Sequence, residues 1–334
     1  MSKADAAAAI LWVGATFYAL FGGADFGGGV WDLVAGGPER GERPRSLIQR
    51  SLTPVWEANH VWLIFVLVVL WTAFPQAFSA IFSTLYVPLA LAALGIVLRG
   101  CGFAFRKSIE GLQGRRAAGA AFAISSFVTP FFMGIVVGAI AAGNVPADGN
   151  GDAFSTWLVP LPLLIGAMFV ASSAYLAAVF LVGDARRVED EELERYFKRR
   201  ALLAAVLAGA FAVAGLFALH GEARYVFDRL ISQGLPLVLL SLLCGTALLL
   251  VLLRGARRPL RPLAAGAVVA VIWGWGVAQF PYLLPRSLRI DQAAAPDPTL
   301  TVIFIVFAVA AVLVLPSLGL LYTLAQRDLL EGEH

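Results

Sequence analysis

Apolar residues dominate long stretches of the chain, and they come in runs that polar or glycine-rich segments separate. A helix needs about 20 predominantly apolar residues to cross roughly 30 Å of hydrocarbon, and these runs have that length. Strands would leave backbone groups unpaired in lipid unless they closed a barrel, and barrel strands are short and alternate in polarity. The pattern therefore predicts an all-α, polytopic membrane protein.

Nine runs are long enough to be membrane spans, and they form a single integral membrane domain over residues 1–334. The predicted spans cover residues 8–34, 53–73, 77–98, 117–141, 155–182, 200–220, 234–253, 262–284 and 299–324. The first run continues through Gly22, Gly23 and Asp25 without a cleavage site, so it is interpreted as a retained helix. An odd number of spans predicts that the two termini lie on opposite sides.

Charge placement predicts which terminus is outside. Of the 25 Lys and Arg residues, 20 lie after the first, third, fifth and seventh spans or in the carboxyl-terminal tail, and Arg99 is counted among these loop cations. Basic residues near span ends are retained in the cytoplasm. The amino terminus is therefore predicted outside (periplasmic) and the carboxyl terminus in the cytoplasm. The net charge of +3 does not indicate nucleic acid, because the cations sit in loops between apolar runs.

Two acids lie inside predicted spans, where ionisable residues are costly and are functional candidates by default. Asp25 sits in the glycine-rich part of the first span, and Glu57 lies in the first turns of the second. The predicted orientation puts both in the cytoplasmic half of the membrane. Either these acids hydrogen-bond to helices that the glycines allow to approach, or they handle protons, and the second interpretation is favoured.

Two further groups extend this pair into a ladder. His60 follows Glu57 at i+3, on the same helix face, and Asp32 shares a face with Asp25 at i+7. Carboxylates and imidazole can relay protons, so a relay through Asp32, Asp25, Glu57 and His60 is geometrically allowed. The alternatives are an interfacial charge for Asp32 and a satisfied bundle residue for His60.

The numbers and positions of the histidines and cysteines limit which cofactors the chain could bind. The only histidines are His60, His220 and the terminal His334. Two bis-histidine haems would need four, while one haem with mixed ligands stays open. Cys101 and Cys244 are far apart, and no phosphate loop or dinucleotide-binding motif is present. No metal or cofactor is expected on this chain.

Four motifs, read together, resemble subunit II of the cytochrome bd-type quinol oxidases, including the cyanide-insensitive branch. In chain order they are Gly23-Ala24-Asp25-Phe26-Gly27-Gly28-Gly29, Pro54-Val55-Trp56-Glu57-Ala58-Asn59-His60-Val61-Trp62, Arg99-Gly100-Cys101-Gly102-Phe103-Ala104-Phe105-Arg106 and Trp273-Gly274-Trp275-Gly276-Val277-Ala278-Gln279-Phe280-Pro281-Tyr282-Leu283. The resemblance runs from about residue 10 to 325. Four separated motifs in the same order are far more specific than any one of them.

The resemblance implies two four-helix bundles plus one peripheral helix, paired pseudosymmetrically with a subunit I in the bacterial cytoplasmic (inner) membrane. Subunit I is expected to carry two b-type haems, one haem d and the quinol site. The complex would oxidise quinol and reduce O2 to water in aerobic respiration. Contacts with lipid and quinone are expected, and a small single-span accessory subunit is compatible with the resemblance.

The resemblance also assigns roles. It links Asp25 and Glu57 to proton uptake. We expect His60 to be a further relay and Trp56, Asn59 and Trp62 to support the two acids. Two other functions stay open: a proton-coupled secondary transporter and a purely structural membrane subunit. Transporter folds often have broken helices in corresponding halves, and the prolines of this chain offer no matched pair.

Overall fold

A computed structural model describes residues 2–105, 112–255 and 260–326, and at some helical positions, residues 52–58 among them, it describes the backbone alone. This part of the chain is almost entirely helical, with one short β-hairpin. The elements are α1 (Lys3–Leu33), α2 (Pro38–Ala73), α3 (Pro75–Thr84), α4 (Tyr86–Phe105), α5 (Leu112–Ala142), α6 (Pro160–Arg187), α7 (Glu191–Glu222), α8 (Arg224–Leu230), α9 (Leu235–Arg254), α10 (Arg261–Gln279), β1 (Tyr282–Leu284), β2 (Leu288–Arg289), α11 (Ile290–Ala293) and α12 (Asp297–Gln326).

Seven of these helices are long and apolar enough to cross a membrane: α1, α5, α6, α7, α9, α10 and α12. They coincide with seven of the nine predicted spans. Helix α6 is the most enclosed of them, whereas α7, α9 and α12 leave most of their apolar surface uncovered by the rest of the chain. Those three helices therefore present apolar faces to whatever surrounds the chain.

Two predicted spans remain, 53–73 and 77–98. In this part of the chain the helices are interrupted. The Asn59–Ala73 part of α2 and helix α3 meet at a bend of 115°. Pro75 is the first residue of α3, and proline favours a helix start because it has no N–H to donate. A second break at Leu85 separates α3 from α4. The single helix predicted over 77–98 is thus corrected to two helices.

The chain also departs from the all-α prediction after α10. The predicted span 262–284 ends as a helix at Gln279, and Tyr282–Leu284 instead pairs with Leu288–Arg289 in an antiparallel hairpin. Pro281 cannot donate the backbone hydrogen bond that would continue the helix. Likewise α6 begins at Pro160 rather than at residue 155, again with proline in the first turn.

Helix α1 lies at the centre of the packing and contacts α2, α5, α6 and α10. Its approach to α6 is closest at Gly27, where a Cβ atom would overlap the backbone carbonyl of Ser173. Trp31 of α1 adds a hydrogen bond from Nε1 to the carbonyl oxygen of Ala174, 2.8 Å long. Close contact of the two backbones therefore depends on a glycine.

Candidate functional site

The glycine-rich segment of α1 is the most enclosed part of that helix, because every residue from Gly22 to Asp32 is buried. Asp25 lies within it and is 1% exposed. Small residues around the acid let side chains of two neighbouring helices, α2 and α4, come close enough to reach it. An acid in this position requires a compensating partner, since an unpaired buried charge is strongly unfavourable.

Arg99 of α4 is that partner, and it is itself 2% exposed. Its Nη2 donates to Oδ1 of Asp25 at 2.6 Å and its Nε donates to Oδ2 at 3.0 Å. Nη2 also donates to the backbone carbonyl of Asp25 at 2.7 Å. This fork geometry gives a charge-assisted, bidentate ion pair.

Two polar side chains complete the centre. Arg99 Nη1 donates to Oγ of Ser126 at 2.8 Å, and Ser126 in turn donates to the carbonyl of Phe122 at 2.7 Å. Asn59 of α2 donates from Nδ2 to Oδ2 of Asp25 at 3.5 Å. The pair thus joins α1 and α4 to both α2 and α5.

Aromatic rings enclose the guanidinium of Arg99. Its central carbon lies 4.3 Å from the ring centroid of Phe122 and 5.1 Å from that of Phe26. Cations within about 6 Å of a ring centroid are attracted to it. The rings also exclude water, so the guanidinium has fixed partners rather than solvent around it.

Glycines set the spacing of the centre. A Cβ on Gly29 would overlap Oγ of Ser126, and a Cβ on Gly22 would lie 2.8 Å from Oδ1 of Asn59. The glycine-rich motif therefore has a steric reason at these two positions: it allows Ser126 of α5 to reach Arg99 and Asn59 of α2 to reach Asp25.

The residues predicted to support the site are partly assembled here. Asn59 contacts Asp25 directly, as described above. Trp62, one turn further along α2, is buried and stacks on Phe17 with ring centroids 4.4 Å apart. Among the described contacts, none joins Trp62 directly to Asp25. His60 is half-buried.

Asp32 is more enclosed than the interfacial charge considered from the sequence. It is buried, and its Oδ1 lies 3.5 Å from Nε of Arg45. Trp56 and Glu57 belong to α2 by their backbone, but their side chains lie outside the described residues. The predicted ladder from Asp32 to His60 therefore stays a prediction.

Arg99 is the residue that sequence reasoning missed. It was counted among the loop cations because it directly follows the apolar run ending at residue 98. Helix α4 instead continues to Phe105 and buries it. The signal that points to it is Asp25 itself, because a deeply placed acid calls for a cation inside the membrane region. Arg99 also begins one of the four motifs.

Within the described ranges, no group of three or more His, Cys, Asp or Glu side chains is arranged to hold a metal ion. His220 lies at the end of α7, where its Nε2 is 2.5 Å from Nη1 of Arg224. Because a guanidinium only donates, that nitrogen acts as an acceptor for Arg224. The chemistry of the centre is thus that of a carboxylate, a guanidinium, an amide and a hydroxyl.

Comparison with known proteins adds the family. The sequence matches the family described as cytochrome bd terminal oxidase subunit II over residues 4–325. This match includes all four motifs and every residue of the Asp25–Arg99 centre.

Individual relatives agree with that match. The putative cytochrome bd menaquinol oxidase subunit II of Bacillus subtilis (strain 168) is 20% identical over 96% of this chain and 95% of its own length. The cytochrome bd-I ubiquinol oxidase subunit 2 of Escherichia coli (strain K12) is 30% identical over 63% of this chain, which corresponds to 55% of the relative. In fold, the chain is similar to a chain of the bd oxidase from Geobacillus thermodenitrificans, with a TM-score of 0.78, 24% identity and coverage of 97% and 98% of the two chains.

Proposed function

Because the chain belongs to the cytochrome bd terminal oxidase subunit II family, we propose that it is the non-catalytic but required subunit of a quinol oxidase complex in the bacterial cytoplasmic membrane. The complex couples quinol oxidation to the reduction of O2 to water. A haem-bearing subunit I carries the two b-type haems and haem d, and this chain contributes stability and a proton-uptake path. The observation that carries the proposal is the family match over residues 4–325.

The proposed topology has nine crossings. Seven come from the long apolar helices, and the other two from the Asn59–Ala73 part of α2 and the apolar Tyr86–Gly102 part of α4. With nine crossings, the bias of basic residues puts the amino terminus outside. The contacts of α1 with α2 and α5, and of α4 with α5, support a first four-helix bundle; those of α6 with α7 and of α9 with α10 support a second. Helix α12 is then the peripheral helix.

In this orientation Asp25 lies in the cytoplasmic half of the membrane. Eight residues separate it from the end of α1 at Leu33, which is about 12 Å along the helix axis. Glu57 precedes Asn59 by two residues in α2, and Asn59 contacts Asp25. That contact brings the segment of α2 that carries Glu57 alongside the segment of α1 that carries Asp25. The closeness of these segments supports a common proton route from the cytoplasm, with His60 as a further relay.

The ion pair gives Asp25 a specific part in such a route. Protonation of Asp25 would leave the buried guanidinium of Arg99 without its counter-charge, which is unfavourable. A proton entering near Asp25 and a rearrangement of Arg99 are therefore coupled events. We assign proton loading from the cytoplasm to Glu57, and to Asp25 the electrostatic control of the next step.

The test is purification through an affinity tag on this chain. The expected result is a complex with a larger haem-bearing membrane subunit, haem absorbance in the reduced spectrum and quinol-dependent oxygen consumption. Recovery of the chain without a haem-bearing partner, or of a complex that transports a solute and does not oxidise quinol, would contradict the proposal. A purely structural role would leave oxygen consumption unchanged when Glu57 is replaced in an intact complex.

A further inference from the structure

Charged side chains at the start of α7 are sorted into two layers. Glu191, Glu192 and Glu194 occupy the first turn, and Arg195, Lys198, Arg199 and Arg200 follow. The apolar part of the helix begins at Ala201. At about 1.5 Å per residue, the cations lie roughly 6 to 14 Å from the start of the helix. They therefore form a layer between the acids and the apolar surface.

The end of α9 adds a fifth cation at the same level. Arg254 is its last residue, and Gly255 ends the helix in a left-handed conformation. A Cβ placed on Gly255 would lie 3.9 Å from Nζ of Lys198. The carboxyl end of α9 and the basic layer of α7 are thus side by side.

Four nearby acids do not neutralise this layer, because they are bound to other cations. Glu194 accepts from Arg186 at 2.8 Å, Asp190 and Glu192 bind Arg43, and Asp184 binds Arg261. Among the described residues, Lys198, Arg199 and Arg254 form no ion pair that the structure records, and Arg195 donates only to the backbone oxygen of Glu191. The positive charge of this layer is therefore available to an external partner.

The surface next to the cations is apolar and exposed. On α7 it consists of Leu203, Val206 and Leu207, and on α9 of Leu250 and Leu253. Cations beside an uncovered apolar surface match a ligand with a negative head and hydrocarbon chains. A free anion would need no apolar surface, and a soluble acidic protein could not cover both parts.

We propose that Arg195, Lys198, Arg199 and Arg254, here called the α7–α9 basic surface, bind the phosphate head group of an anionic phospholipid whose acyl chains lie along α7 and α9. Binding here fastens the start of α7 to the end of α9. The site is distinct from the Asp25–Arg99 centre, and it does not depend on the oxidase activity.

The experiment uses the complex purified through a tag on this chain and delipidated in detergent. Phosphatidylglycerol and phosphatidylcholine with identical acyl chains are added separately, and native mass spectrometry counts the retained lipid. The test variant is Arg195→Gln/Arg199→Gln/Arg254→Gln. The matched control is Arg224→Gln/Arg229→Gln/Arg289→Gln, which removes two exposed cations and one half-buried cation near the opposite ends of α7 and α10. Lys198 is kept because it lies against the end of α9.

We expect the unmodified complex and the control to retain phosphatidylglycerol over phosphatidylcholine, and the test variant to lose about ten-fold in phosphatidylglycerol affinity. Equal retention of both lipids by the unmodified complex, or undiminished affinity in the test variant, would overturn the proposal. Full displacement of the lipid by inorganic phosphate would also overturn it, since it would indicate a site for free anions. If the triple variant does not assemble, Arg199→Gln and Arg254→Gln are each expected to lose about three-fold, and unchanged affinity in both overturns the proposal. Lipid counts are read independently of turnover, so failure of the proposed oxidase function would not affect them.

Discussion

Arg99 and Asp25 are 74 positions apart in the chain, yet the guanidinium of one and the carboxylate of the other form a bidentate ion pair that is almost completely buried. Each partner makes the burial of the other tolerable. Breaking such a pair by removing one partner costs about 3–5 kcal/mol, because the remaining charge has no compensation.

The ion pair therefore predicts a specific pattern of stability. Arg99→Gln and Asp25→Asn should each lower the free energy of unfolding by about 3–5 kcal/mol. The double variant should lose clearly less than the sum, since it leaves no unpaired charge. Thermal denaturation of the purified complex, monitored through the loss of haem absorbance, measures the stability of all three variants. Additive losses, or an Arg99→Gln complex that melts like the unmodified one, would contradict the pairing.

The contact between α1 and α6 predicts the effect of one methyl group. Gly27→Ala would place a Cβ in the space of the Ser173 carbonyl, so the two helices must separate, and the complex should assemble poorly or lose about 1–3 kcal/mol as overpacking does. The matched control is Gly245→Ala in α9, where nothing lies within 4 Å of the added atom. That control should behave like the unmodified chain. Yield and melting temperature of the complex are the measurements, and similar behaviour of the two variants would refute this packing.

Much of this architecture could be predicted from the sequence, and the exceptions have local causes. Long apolar runs gave seven helices close to their observed positions, because the length of a run decides whether it spans. The breaks at Leu85, before Pro160 and after Gln279 were missed because apolar residues continue through them. There the prolines, not hydrophobicity, determine where a helix starts or ends.

Only half of the site could be predicted. Asp25 was found because a polar group within an apolar run is conspicuous, and Asn59 was found through the resemblance of its motif. Arg99 was not, because a cation just past the end of a run is usually interfacial, and its acidic partner is distant in sequence. Ser126 gave no signal either, since a serine in a membrane helix commonly bonds to its own backbone, as this one also does.

Asp190, at the start of α7 and outside the membrane, predicts that the stability of the fold depends on pH. The backbone N–H of Leu193 and the guanidinium of Arg43 hold the pKa of Asp190 below its ordinary value. A lowered pKa means that this carboxylate stabilises the fold above its ordinary pKa of about 3.9 and loses that contribution as the pH falls through the lower, folded value. Asparagine also caps helices well, so Asp190→Asn removes the charge and keeps the cap.

We therefore expect the unmodified complex to melt at a higher temperature than Asp190→Asn at pH 7, with the difference shrinking below about pH 4. Glu191→Gln is the control, because the structure records no ion pair for Glu191 among the described residues. Melting curves between neutral and acidic pH test this. A difference that grows on acidification would contradict the assignment.

The proton route from the cytoplasm is tested most directly by oxygen consumption of the purified complex carrying Glu57→Gln, compared with Glu57→Asp. A proton-transferring group typically contributes about 100-fold or more to the step it serves. We predict that Glu57→Gln assembles with full haem content but slows quinol-dependent oxygen consumption by at least about ten-fold, whereas Glu57→Asp retains most of the rate. Unchanged turnover of Glu57→Gln in an intact complex would contradict the account.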